Sequence, residues 1–193
     1  MEVPRRGRPP ALDRRSVVGA AIKVLSAEGP SGLTVRHLAE QLGVSRQVVY
    51  TQFGSLGGLI DVVYREGFAL LRASGPEIGS GLEGTQRVVA NALAYRRSAL
   101  ERPELYRVMF ERPFREFVPS AQSRSVALAA FEPLVEAVAS TGREPGEARD
   151  LALTLWGAMH GLVHLELQGY FAFEPSSEQR IIDVVKGLID DAR

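Results

Sequence analysis

Residues Leu38–Phe53 read LAEQLGVSRQVVYTQF, and this stretch decides the fold. A helix-turn-helix needs a small residue where its helices cross, a glycine that can take positive φ in the turn, and apolar residues that hold the second helix across the first. Ala39, Gly43, Val44, Val49 and Phe53 fill those roles at suitable spacing. Arg46, Gln47, Val48, Tyr50, Thr51 and Gln52 are left with no strong reason to enter a core. The exposed face of the second helix in such a pair meets base edges in the major groove. Arg46 suits a guanine edge, Gln47 an adenine edge, and Val48 or the Thr51 methyl a thymine methyl. Tyr50 suits a phosphate, which positions the helix without reading sequence. The same geometry also occurs at corners of helical bundles that bind no DNA.

Helical spacing extends in both directions from this motif. Val17, Val18, Ala21, Ile22 and Leu25 predict a helix over Asp13–Glu28, stopped by Gly29, Pro30 and Gly32. Thr34 is an N-cap for Val35–Leu42, Gly43 ends that helix, and Ser45 caps the next through about Gln52. Ser55 caps a fourth to about Ala73. The glycine-rich run Ser74–Gly84 then reads as the hinge. Beyond it, helices are expected over Leu82–Leu100, Pro103–Phe110, Ser123–Thr141, Gly146–Leu167 and Ser177–Asp191, with Pro133 bending its helix or starting a new one. No segment alternates as a strand would, so the expected class is all-α. The expected domains are a basic arm over 1–10, a helix-turn-helix domain over 11–58 with its connecting helix, and a larger helical domain over 74–193.

Composition fits a globular protein, at 45% hydrophobic and 24% charged residues. The absence of cysteine excludes disulfides, thiolate nucleophiles and Cys-ligated zinc. The basic start is not followed by the apolar run of a secretion signal, and Leu151–Leu165 is shorter than the about 20 residues that span a bilayer, so a cytoplasmic location is expected. Net charge is zero, yet Met1–Tyr50 carries eight Lys and Arg against four Asp and Glu. A local basic patch is what steers a protein to phosphate.

GLTVRHLAEQLGVSRQVVYTQFGSLGGLI, preceded by AAIKVLSAEG, resembles the DNA-binding domain of the tetracycline-repressor-like (TetR/AcrR) regulators. The resemblance covers roughly Ala11–Ile60, and the family's ending of the recognition helix reads here Val49-Tyr50-Thr51-Gln52-Phe53. It implies DNA contacts from Arg36, Arg46, Gln47, Val48, Tyr50 and Gln52, with Thr34 near a phosphate. Ser45 and Thr51 belong to the same candidate surface. The usual histidine is Gln52, and the lysine that usually opens the fourth helix is Leu56, followed by Gly57 and Gly58. Free amides at that helix end can still attract an anion. Two glycines in a first turn cost about 1 kcal/mol each against alanine, and they mark either a close backbone approach to phosphate or simple drift.

The arm PRRGRPP, Pro4–Pro10, has the composition of a strand that lies in an A·T minor groove, which makes Arg5, Arg6 and Arg8 candidate contacts. The other reading is a basic tail that aids solubility.

PELYRVMF from Pro103 and LWGAMHGLVHLEL from Leu155 resemble the ligand domain of a subgroup marked by a Trp-His-Gly motif, matched by Trp156, His160 and Gly161. Tyr106, Met109, Phe110, Phe131, Trp156, Met159, His160 and His164 are the expected pocket neighbours of a largely apolar small-molecule effector. His160 and His164 are four apart, a spacing that can hold a metal with a third ligand such as Glu166, but a core or pocket role is favoured. Gly157, Ala158 and Gly161, with Ile181, Ile182, Val184, Val185, Leu188 and Ile189, suggest that the last two helices pair with a second copy as a four-helix interface. The combined expectation is a homodimeric repressor that binds palindromic double-stranded DNA and is released by its effector. No cofactor, metal or membrane partner is expected. An all-α enzyme is disfavoured, because no Gly-x-Ser-x-Gly elbow or phosphate-binding glycine loop is present. A helical module acting only through protein partners is the third reading.

Overall fold

A computed structural model describes residues 13–79, 81–111, 113–171 and 177–191, and among them every regular element is an α-helix, ten in all. Helices α1 (Arg14–Gly32), α2 (Val35–Leu42) and α3 (Arg46–Phe53) form the head. Gly29, at φ 69°, breaks the path of α1 just before Pro30. Thr34 caps α2 by accepting the His37 N–H at 3.1 Å. Gly43 is left-handed at φ 63°, and its N–H closes the end of α2 on the Ala39 and Glu40 carbonyls. Only glycine takes that geometry routinely. Ser45 departs from expectation: it holds the N-cap position, yet its hydroxyl makes no capping bond, and the turn is closed by Val48 N–H donating to the Ser45 carbonyl at 3.0 Å.

Helix α4 (Leu56–Gly79) begins as expected, with the Ser55 hydroxyl accepting Gly58 N–H at 3.0 Å. It continues past Ala73 to Gly79, however, through the residues expected to be the hinge. A Cβ on Gly75 would lie 2.9 Å from Asn91 Oδ1. This glycine therefore serves close helix packing, which in sequence looks the same as flexibility.

The remaining helices are α5 (Gly84–Glu101), α6 (Pro103–Phe110), α7 (Ala121–Ala129), α8 (Glu132–Ala139), α9 (Pro145–Leu167) and α10 (Ser177–Asp191). The single helix expected over Ser123–Thr141 is two. Pro133 lies in the first turn of α8, where its missing N–H has no helical partner to lose. No helix among the described residues is long and apolar enough to cross a membrane.

Two apolar cores result. One joins α1–α4 around Leu38, Val49 and Leu59, all fully buried, and is completed by Leu105, Val108 and Met109 of α6. The other joins α5, α8, α9 and α10 around Leu155, Val163, Ile181, Val185 and Ile189, and takes in Tyr106 of α6. Each fully buried Leu or Ile contributes about 2 kcal/mol through lost water contact. Helix α6 thus has one side in each core, so neither core can shift along it independently. Arg96 of α5 clamps the second core by bonding both oxygens of Glu166 on α9, at 2.9 and 2.6 Å. That bonding raises the Arg96 pKa further.

Candidate nucleic-acid interface and internal cavity

Helix α3 is held from below by Val49 and Phe53, both buried, which turns the opposite side outward. Arg46, Gln47 and Thr51 are exposed and Tyr50 is 45% exposed, while Val48 and Gln52 are half-buried. Thr51 donates its hydroxyl to the Gln47 carbonyl at 2.8 Å, so its methyl is the group left to face outward. Arg36 lies exposed on α2, 3.9 Å from Glu40, a surface pair worth well under about 1 kcal/mol and readily given up. Thr34 and Ser45 are exposed at the starts of α2 and α3. Arg5, Arg6 and Arg8 lie outside the described residues.

The turn from α3 to α4 accounts for one of the paired glycines. A Cβ on Gly58 would lie 2.0 Å from the Phe53 carbonyl oxygen, so the close approach is to the chain's own backbone. Leu56, standing where the resemblance implies a lysine, packs on the head core. A cation not anticipated from sequence stands near this turn: Arg14 lies over the Phe53 ring, 5.1 Å from its centroid. Its place at the start of α1 gives no local signal, because the contact depends on how α1 crosses α3.

Between the cores lies a cavity of about 340 Å³. Of the residues expected around it, Met109, Phe110, Phe131, Trp156 and Met159 line it. Tyr106, His160 and His164 do not; Tyr106 and His160 stand against Phe110, whose ring meets His160 edge-on at 5.0 Å, and His164 stacks on His160. Helix α4 contributes Tyr64, Phe68 and Leu71, which sequence reasoning assigns to no site. Their spacing of four and three along one helix face is the available signal. Tyr95, Asn91 and Arg149 also line the cavity without having been expected there.

The residues behind the wall form a polar network. Tyr106 Oη lies 2.7 Å from His160 Nδ1, Tyr95 Oη lies 3.0 Å from the same nitrogen, and Tyr95 donates to Tyr106 at 3.3 Å. Burial, reinforced by the neighbouring His164, pushes the His160 pKa down against the opposing charge of Glu111. The neutral ring has one donor and one acceptor nitrogen, and Nδ1 is the one that faces the two hydroxyls. Burial pushes Tyr106 up to about 12 and Tyr95 higher still, so both phenols remain donors. His164 Nδ1 meets Glu111 at 3.3 Å. Glu166, suggested as a third metal ligand, is instead bonded to Arg96. Among the described residues no group of three or more His, Cys, Asp or Glu is arranged to hold a metal.

Comparison with known proteins agrees with this two-part architecture. Residues 17–63 match the bacterial regulatory proteins of the tetR family, and residues 88–188 match the tetracyclin repressor-like C-terminal domain. The chain is 31% identical to an uncharacterised HTH-type transcriptional regulator of Mycobacterium tuberculosis over 84% of its own length and 73% of that protein's. A protein of unknown function from Rhodococcus sp. RHA1 superposes with a TM-score of 0.82 at 22% identity, covering 98% of each chain. A TetR variant from Acinetobacter baumannii AYE, solved in complex with minocycline, superposes with a TM-score of 0.65 at 22% identity, covering 93% of this chain and 96% of that one. Matched in both parts and along most of a full-length relative, the chain belongs to the TetR family of DNA-binding transcriptional regulators.

Proposed function

We propose that the protein is a homodimeric repressor that binds a palindromic operator and releases it when a small molecule fills the cavity between its two cores. The observation that carries this reading is the double placement of Met109, which is buried in the head core and also lines the cavity. A Cβ on Gly67 of α4 would lie 2.6 Å from Met109 Sδ, so α4 and α6 touch closely at this point. An occupant that displaces Met109 or Phe110 pushes on the core carrying α3. Interiors this dense transmit such a push as a shift between packed arrangements. A second tie reinforces the path: Asp61 of α4 accepts Ser120 N–H at 2.9 Å at the start of α7, and α7 supplies Ala127 and Leu128 to the cavity wall.

The DNA-facing residues in this reading are Arg46, Gln47, Val48, Tyr50, Thr51 and Gln52 on α3. Thr34, Arg36 and Ser45 approach the backbone, and the arm arginines add minor-groove charge. Dimerisation supplies the second half-site. Gly157, Gly161 and Leu165 form an exposed stripe on α9, and Ile182, Val184 and Leu188 of α10 are only half-buried. Two copies packed through these helices bury that surface, and the two recognition helices then meet successive major grooves about 34 Å apart.

Selection of bound sequences from a random duplex pool tests the reading. The recovered site should be an inverted repeat whose affinity falls steeply with salt. Replacing Arg46 and Tyr50 together by alanine should cost about a hundredfold in affinity or more, the worth of one base pairing and one phosphate contact. Undiminished binding by that variant refutes the assignment of α3.

A further inference from the structure

The cavity wall is apolar apart from a few neutral polar groups and one cation. Among the described residues it contains no carboxylate and one ionised side chain, Arg149, in the second turn of α9. Of its neutral polar groups, Ser74 donates to the Leu71 carbonyl at 2.7 Å and Asn91 to the Arg87 carbonyl at 2.9 Å. The Tyr95 hydroxyl is held by Tyr106 and His160.

Arg149 is differently placed. Its guanidinium lies over the Phe131 ring, 5.7 Å from the centroid, and one nitrogen donates to Glu132 Oε1 at 3.2 Å. Both side chains of that pair are about half exposed, at 50% and 47%. A one-point pair in water is weak and exchangeable. A guanidinium has five donors in a planar fork that fits a carboxylate with two parallel bonds, so this one has capacity to spare. Beside it on α9, Leu153 is 48% exposed, and Leu128 of α7 is 66% exposed; both also line the cavity. The cation therefore stands at an apolar rim, with rings deeper in the wall.

We propose that the effector of this cavity is an apolar molecule bearing one carboxylate. Its body lies among Phe68, Phe110 and Trp156, and its acid group takes Arg149 from Glu132 at the rim. The inference rests on the cavity being the effector site and adds the class of ligand. A cationic ligand would find no carboxylate in the wall itself and would have to draw Glu132 at the rim away from Arg149. A neutral one would leave the fork unused.

The test uses the full chain and two matched pairs, 2-naphthoate with its methyl ester and decanoate with its methyl ester, titrated at neutral pH. Trp156 is the chain's one tryptophan and lines the cavity, so its fluorescence reports occupancy. Each acid should bind about tenfold tighter than its ester or better, the worth of a charge-assisted bond. Arg149→Gln should abolish that preference and Arg149→Lys should keep part of it. Glu132→Gln should tighten the acid, by removing its competitor, without tightening the ester; a merely misfolded variant would not do this. Equal binding of acid and ester, or a preference that survives Arg149→Gln, overturns acid selection while leaving the cavity reading intact. No response of Trp156 to either pair overturns the cavity reading and the inference with it.

Discussion

Helices α4 and α9 are of nearly equal length, 24 and 23 residues, and both line the cavity, yet apart from Gly57 of α4 their glycines have opposite surroundings. On α4, a Cβ on Gly58, Gly67 or Gly75 would come within 3.0 Å of another part of the chain. On α9, a Cβ on Gly157 or Gly161 would meet nothing within 4 Å. Glycine costs a helix interior up to about 1 kcal/mol against alanine, so each position needs a compensating use. For α4 the use lies inside the monomer, where the helix is pressed against α3, α6 and α5. For α9 nothing among the described residues uses the space at Gly157 and Gly161, and a second copy is what would.

The sharpest way to break this contrast is Gly58→Ala. The obstructing atom is the Phe53 backbone oxygen, 2.0 Å from the added carbon, so no rotamer change relieves the clash and the α3–α4 turn must open. A loss of about 3 kcal/mol is expected, at the upper end for overpacking, read as a lowered denaturation midpoint with weakened DNA binding. An unchanged midpoint would mean that the turn is loose and that α4 does not fix the recognition helix.

The second test addresses the other helix. Gly157→Leu with Gly161→Leu should leave the helical content and the monomer's cooperative unfolding intact, because the new side chains point into open space. Dimer affinity should nevertheless fall about a hundredfold, since bulk replaces a close-approach face at the centre of the proposed interface. Sedimentation velocity against concentration reads this directly. A dimer of undiminished strength would place the interface elsewhere and leave the α9 glycines unexplained.

The same contrast explains what is legible in the sequence. The head is readable because its signals are local: Thr34 caps its own helix, Gly43 closes its own turn, and Val49 and Phe53 hold α3 four residues apart. Ser45 misleads even so, because residue type sets a cap's capacity and local geometry sets its use. The continuation of α4 through Gly75 is not readable, since its cause is Asn91 on another helix. For the cavity, helical spacing of aromatics marks only packing, and it is the ligand-domain resemblance that singles out Phe110, Phe131 and Trp156. Neither separates these wall residues from Tyr106 and His160 behind them. That distinction depends on how α6 and α9 are rotated against each other, which is a property of the packed pair.

The smallest effect concerns the inner side of α9, where His160 faces the tyrosines while the glycine stripe faces outward. Its pKa is lowered in the folded chain, chiefly by burial, so the unfolded chain takes up a proton that the folded one resists. Stability from this group is therefore fully present above the unfolded value near 6.5. It declines as pH falls through that value towards the depressed folded one, and stability rises with pH across this window. Replacing His160 by glutamine keeps an acceptor for Tyr106 but removes the titration. The decline in melting temperature from pH 7.5 to 5.5 should then be shallower in His160→Gln than in the wild type, whatever the variant's stability at the higher pH. Identical slopes would show that water reaches His160 as freely in the folded chain as in the unfolded one. The two sides of α9 would then be alike in exposure, and the contrast with α4 would lose its inner half.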